Sequence, residues 1–130
     1  TLDSAGWTLP SGRQVREKAG RPLRFTLLVP GTSKNRIAFA TLIQEQLRGI
    51  GVQVEIEQVD FNAFLQREST RDFDAVLGAW HTDPTPAAVR QTWGSAGASP
   101  NGSNYGMYRS AEFDMHVDSA LSSFDAGRAK

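Results

Sequence analysis

Along this chain the spacing of apolar residues switches between continuous runs, helical periodicity and strict alternation, and each switch marks an element. Leu23 to Pro30 is a nearly continuous apolar run that stops at Pro30-Gly31. It predicts a buried strand followed by a turn. Thr32 or Ser33 then stands where a helix cap is needed, and Phe39, Leu42, Ile43, Leu47 and Ile50 recur at helical spacing as one apolar face. Gly49 and Gly51 end that helix. Val52, Val54 and Ile56 alternate with Gln53, Glu55 and Glu57, a strand with one wet face. Asp60 opens a short helix expected to bury Phe61, Phe64 and Leu65, and Phe73 to Trp80 is again almost wholly apolar.

Strand, helix, strand, helix, strand in this order favours parallel pairing through helical crossovers. The runs at 23–30 and 73–80 read as strands covered on both faces, and the alternating 52–59 as an edge. The spatial order expected is therefore second, first, third (2-1-3), with the first strand in the middle. Open α/β sheets take ligands beyond the carboxyl ends of their strands, where the order reverses. Here those ends are Pro30-Gly31-Thr32 and Trp80-His81-Thr82-Asp83. Topology alone makes residues 80–83 the leading candidate site.

The flanks carry weaker signals. Leu2, Ala5 and Trp7 around Gly6 read as the last turn of a helix, and Pro10 to Pro22, broken by Gly12 and Gly20, as a loop or loose hairpin. Thr85-Pro86 suits the start of a helix running to Trp93 and stopped at Gly94. Trp93 reads as a core aromatic. Residues 94–106 form a Gly, Ser and Asn-rich loop. Ser110 opens a last helix with Phe113, Val117, Ala120, Leu121 and Phe124 on one side. Neither end looks finished, so the chain reads as a piece of a longer protein.

Composition narrows the function classes. The 130 residues suffice for one compact domain, so residues 1–130 read as a single α/β unit. Lys+Arg and Asp+Glu both number 14, and the formal net charge is zero, which argues against a nucleic-acid partner. There is no cysteine, which removes disulfides, thiolate zinc sites and a thiol nucleophile. No apolar stretch approaches the ~20 residues that span a bilayer, so the chain is not membrane-embedded. His81, Asp83 and Ser95 invite a hydrolase reading, but no Gly-x-Ser-x-Gly elbow accompanies them, and the chain has only two histidines, His81 and His116. His81 stands alone, without the cluster a metal needs. Pro30-Gly31-Thr32-Ser33-Lys34 lacks the phosphate-loop pattern and reads as a plain helix entry. The Asn101-Gly102-Ser103 triplet is given no role.

The placed segments resemble a known family over nearly the whole chain. The pieces are Asp3 to Trp7, Gly20 to Leu23, Val29-Pro30, Ala40 to Val54, Asp72-Phe73-Asp74-Ala75, Gly78-Ala79-Trp80 with Asp83-Pro84, and Asn104 through Tyr108 to Glu112-Phe113-Asp114. The Gln-x-x-Leu-x-x-Ile-Gly helix end and the Phe-Asp-Ala…Trp-x-x-Asp-Pro strand end are the most specific. The set resembles the C-terminal lobe of extracytoplasmic solute-binding proteins of the dipeptide/oligopeptide/nickel family. That resemblance implies a class II periplasmic-binding-protein lobe, three-layered around a mainly parallel sheet, whose N-terminal partner lobe is absent here. It implies capture of a small peptide or similar solute for an ABC importer, in the periplasm or otherwise outside the cytoplasmic membrane. The partners implied are the solute and the permease subunits. No cofactor is expected, and no metal, because the chain lacks a cluster of His, Cys and carboxylates. In peptide-binding members the Asp three residues after this Trp receives the ligand's α-ammonium, which carries over to Asp83. Trp80 becomes cleft wall, with Thr32, His81, Asn104 and Tyr108 at the rim. One departure is the loop Pro10 to Gln14, which lacks the acidic residues often found there. The readings left beside this one are a small hydrolase-like α/β enzyme and an intracellular ligand-sensing domain.

Overall fold

A computed structural model describes residues 1–79, 81, 83, 85–100 and 102–122. The described chain divides into two compact units, residues 1–68 with 72–78, and residues 69–71 with 79 onward.

The first unit opens with a turn whose exit is a Schellman motif. The Trp7 N–H donates to the Leu2 carbonyl and the Gly6 N–H to that of Asp3, both at 2.9 Å, with Gly6 at φ +83°. The segment expected as loop or loose hairpin is a tight hairpin, β1 (Glu17–Lys18) paired antiparallel with β2 (Arg21–Pro22). Ala19 and Gly20 between them both have positive φ, as a two-residue turn matching strand twist requires.

Next come β3 (Arg24–Pro30), α1 (Lys34–Arg48), β4 (Gln53–Val59), α2 (Phe61–Thr70) and β5 (Ala75–Val76). The sheet order is β4-β3-β5, and both neighbours run parallel to β3. Leu27, Leu28, Val29 and Pro30 are buried, because β3 alone has a strand on each side and cover on each face. Leu27 and Val29 join Ala40 of α1 and Val52 and Val54 in one core cluster. The Ser33 hydroxyl accepts from the Arg36 N–H and caps α1, and Asp60 accepts from the Asn62 and Ala63 N–H groups to cap α2.

Three packing expectations change. The inward face of α1 is Ile37, Ala40, Ile43 and Leu47, while Phe39, Leu42 and Ile50 are 60%, 53% and 50% exposed. The helix carries two apolar stripes, and the one with small Ala40 at its centre lets the backbone approach the sheet. Along α2, Phe64 is buried, whereas Phe61 and Leu65 stay nearly half exposed. Phe61 instead stacks on Phe64, ring centroids 6.4 Å apart. The third strand is a short piece with half-buried side chains, since β5 has β3 as its one described neighbour.

The second unit contains α3 (Pro86–Trp93), a 3-10 turn at Ser95–Gly97 and α4 (Ala111–Ser122). Thr85 caps α3 through its hydroxyl, with Pro86 at the first helical position, where no N–H is needed. The Ser110 hydroxyl accepts from the Phe113 N–H at the start of α4. Val117 is buried, Phe113 and Ala120 are half-buried, and Leu121 is exposed. Phe124 lies outside the described residues. Trp93, expected as core, is 45% exposed.

Candidate functional site

The second unit holds a cavity of about 270 Å³ lined by His81, Asp83, Ala88, Gln91, Thr92, Ser103 and Tyr105. Three local features build it. The Thr85 N–H donates to the Asp83 carbonyl at 2.8 Å, which fixes Asp83 immediately ahead of the capped start of α3. Helical periodicity then puts Ala88, Gln91 and Thr92, at i, i+3 and i+4, on one face of α3. Ser103 and Tyr105 come from the loop after the helix and flank Asn104.

Asn104 explains why that loop has a defined shape. Its side chain is 1% exposed. Its amide donates to the carbonyls of Trp93 (3.2 Å), Gly94 (3.1 Å) and Tyr108 (2.8 Å), and its oxygen accepts from the Tyr108 N–H at 3.1 Å. A buried carboxamide with both poles satisfied ties the end of α3 to the start of the next segment. Arg71 and Arg109 add hydrogen bonds to loop carbonyls, Arg71 to Ser99 and Gly102, and Arg109 to Ala98. Two glycines permit the compaction. A Cβ on Gly97 would overlap the Gln91 carbonyl oxygen, and one on Gly102 would overlap that of Gly97.

Asp83 is the only carboxylate in the described lining and is exposed. Around it stand the hydrogen-bonding side chains of His81, Gln91, Thr92, Ser103 and Tyr105, with Ala88 the one aliphatic contributor. The Gln91 amide donates to the Ser103 hydroxyl at 3.4 Å. Such a wall suits a polar ligand carrying a cation. A more open recess of about 530 Å³ in the same unit includes Arg90, whose guanidinium pairs with Asp118 at 3.2 Å.

Of the residues singled out in the sequence, His81 and Asp83 line this one cavity. Asn104 is not in the lining, and its amide is committed to the loop. Tyr108 is 49% exposed, sets its ring edge-on to Phe113, centroids 5.9 Å apart, and is not among the lining residues. Thr32 belongs to the first unit, exposed in the turn between β3 and α1. Trp80 lies outside the described residues. Ser95, the hydroxyl of the hydrolase reading, is absent from the lining. Its hydroxyl and its N–H both bond Asp114, and these bonds pull the Asp114 pKa below the usual carboxylate value. Gln91 and Tyr105 went unnoticed in the sequence, and Ser103 was noted only in a triplet given no role. The available signal was the helix opening beside Asp83, which places residues 88, 91 and 92 on one face.

Among the described residues, no group of three or more His, Cys, Asp or Glu stands close enough to hold a metal ion. None of the described helices is long and apolar enough to cross a membrane.

Comparison with known proteins agrees with the resemblance. The oligopeptide-binding protein AppA of Bacillus subtilis is 31% identical over 126 residues, covering 95% of this chain and 23% of that protein. Its structure in complex with a nonapeptide matches with a TM-score of 0.87 at 29% identity, over 98% of this chain and 25% of that one. The nickel-binding periplasmic protein of Escherichia coli is 36% identical over 76 residues, 58% of this chain and 14% of that protein. The chain thus spans a quarter or less of each relative. The family of bacterial extracellular solute-binding proteins, family 5 Middle, matches residues 1–101. This chain belongs to that family of bacterial extracellular solute-binding proteins.

Proposed function

We propose that residues 1–130 form part of the C-terminal, class II-type lobe of a two-lobe protein that captures a small peptide or similar solute outside the cytoplasmic membrane and passes it to an ABC permease. The ligand lies between this lobe and a partner lobe elsewhere in the parent chain. The protein binds and releases, with no chemical step. Asp83 receives the ligand's ammonium group, Trp80 forms apolar wall, and His81, Thr32 and Tyr108 stand at the rim. Asn104 acts as a positioning residue, through the loop that carries Ser103 and Tyr105.

One observation carries this reading. Asp83 is the single carboxylate in the described lining of a cavity whose other described walls are almost all hydrogen-bonding side chains. A cation closed into a cleft loses its hydration, and a fixed anion offsets that loss. The match to oligopeptide-binding AppA over 95% of the chain supports a peptide ligand.

Isothermal titration of the full-length protein with a peptide library, before and after Asp83→Asn, tests it. Truncating one partner of a desolvated charge pair costs about 2–5 kcal/mol, so the variant should bind at least about tenfold more weakly. Equal affinities would remove Asp83 from the role.

A further inference from the structure

Resting on that reading, we infer that Gln91 and Ser103 make the cavity beside Asp83 a selection pocket for a neutral hydrogen-bonding side chain next to the ligand's ammonium group. The discrimination comes from the hydrogen-bonding groups of these two side chains.

The geometry points this way. Gln91 projects from α3 and Ser103 from the glycine loop, and the two side chains meet at 3.4 Å across the lining. That contact uses one of the two amide hydrogens of Gln91. Its carbonyl oxygen and its second hydrogen make no other side-chain hydrogen bond among the described residues, and the Ser103 hydroxyl likewise keeps a donor. An open pocket lets water satisfy these groups. Once a ligand fills it, the ligand must replace the water. An amide or hydroxyl side chain does so, and an aliphatic one of the same size leaves buried poles unmet. The backbone holding both residues is fixed, on one side by the helix and on the other by Asn104 and the close approach of Gly97 to the Gln91 carbonyl. Ala88 is the one aliphatic side chain in the described lining.

The test uses the near-isosteric pair Asn-Ala-Ala and Leu-Ala-Ala, so that size is held while hydrogen bonding changes. Titrated against the full-length protein, the Asn peptide should bind about tenfold more tightly. In Gln91→Met, a surface change of similar length, the preference should collapse, and Ser103→Ala should reduce it. Asp83→Asn should weaken both peptides while leaving their ratio unchanged. Equal affinities in the native protein, or an unchanged ratio in Gln91→Met, overturn the inference and leave the peptide-capture reading standing. Failure of every peptide in the library to bind the native protein overturns both.

Discussion

Two buried polar residues show how burial with and without partners leads to opposite results. Asn104 is almost wholly enclosed, yet every pole of its carboxamide is matched, so it stiffens the loop that lines the cavity. Glu68 on α2 is 7% exposed, and its Oε1 has no hydrogen-bond partner among the described residues. Burial raises its pKa above the ordinary 4.5, with the Arg36 charge opposing in part. A carboxyl whose folded pKa is raised binds its proton more tightly when folded. Its ionisation therefore destabilises the fold above the raised pKa, and that cost disappears as pH falls below 4.5. Asp114 has the opposite sign. Its bonds to Ser95 lower its pKa, so its contribution is present above the ordinary 3.8 and is lost as pH falls through the folded value. Glu68→Gln should accordingly raise the thermal midpoint at pH 7 and have little effect at pH 4. Thermal melts of the variant and parent at the two pH values check this, and a gain of equal size at both would contradict it.

At the scale of elements, α1 shows what periodicity can and cannot decide. Helical spacing located the helix and its ends, with Ser33 and Gly49 at its caps. It did not choose between two apolar stripes, because the bulkier one, with Phe39 and Leu42, scores as more hydrophobic. The sheet accepts the stripe that permits closer packing, a tertiary requirement that no window of sequence contains. Ala40→Leu should therefore cost about 1–3 kcal/mol by overpacking, whereas Phe39→Ala in this chain should stay within about 0.5 kcal/mol. Urea unfolding of residues 1–130 measures both, and a larger loss for Phe39→Ala would restore the face expected from spacing. The central position of β3 was legible, because a strand with neighbours on both sides must be apolar throughout. β5 was overextended, since an apolar run has the same pattern whether its backbone is paired or not. The position of His81 and Asp83 just ahead of the capped start of α3 was legible in the Thr85-Pro86 pair. Gln91, Ser103 and Tyr105 were not, because they converge through the Asn104 bonds to Trp93, Gly94 and Tyr108 and through the glycine contacts, none of which leaves a periodic pattern in the sequence.

For the molecule as a whole, the two units supply different things. The first is a parallel sheet with helices, which carries Thr32 at a strand end. The second contains the cavity with Asp83. Family membership rests on a match over residues 1–101, yet the chain spans only 23% of AppA. Solute capture is therefore a property proposed for the parent, and hinge closure between rigid lobes is the motion it would use. The most direct measurement is a crystal structure of the full-length protein with a bound peptide. The account predicts the peptide's ammonium nitrogen about 2.7–2.9 Å from a carboxylate oxygen of Asp83. A peptide whose ammonium is held by another group, with Asp83 facing solvent, would contradict it.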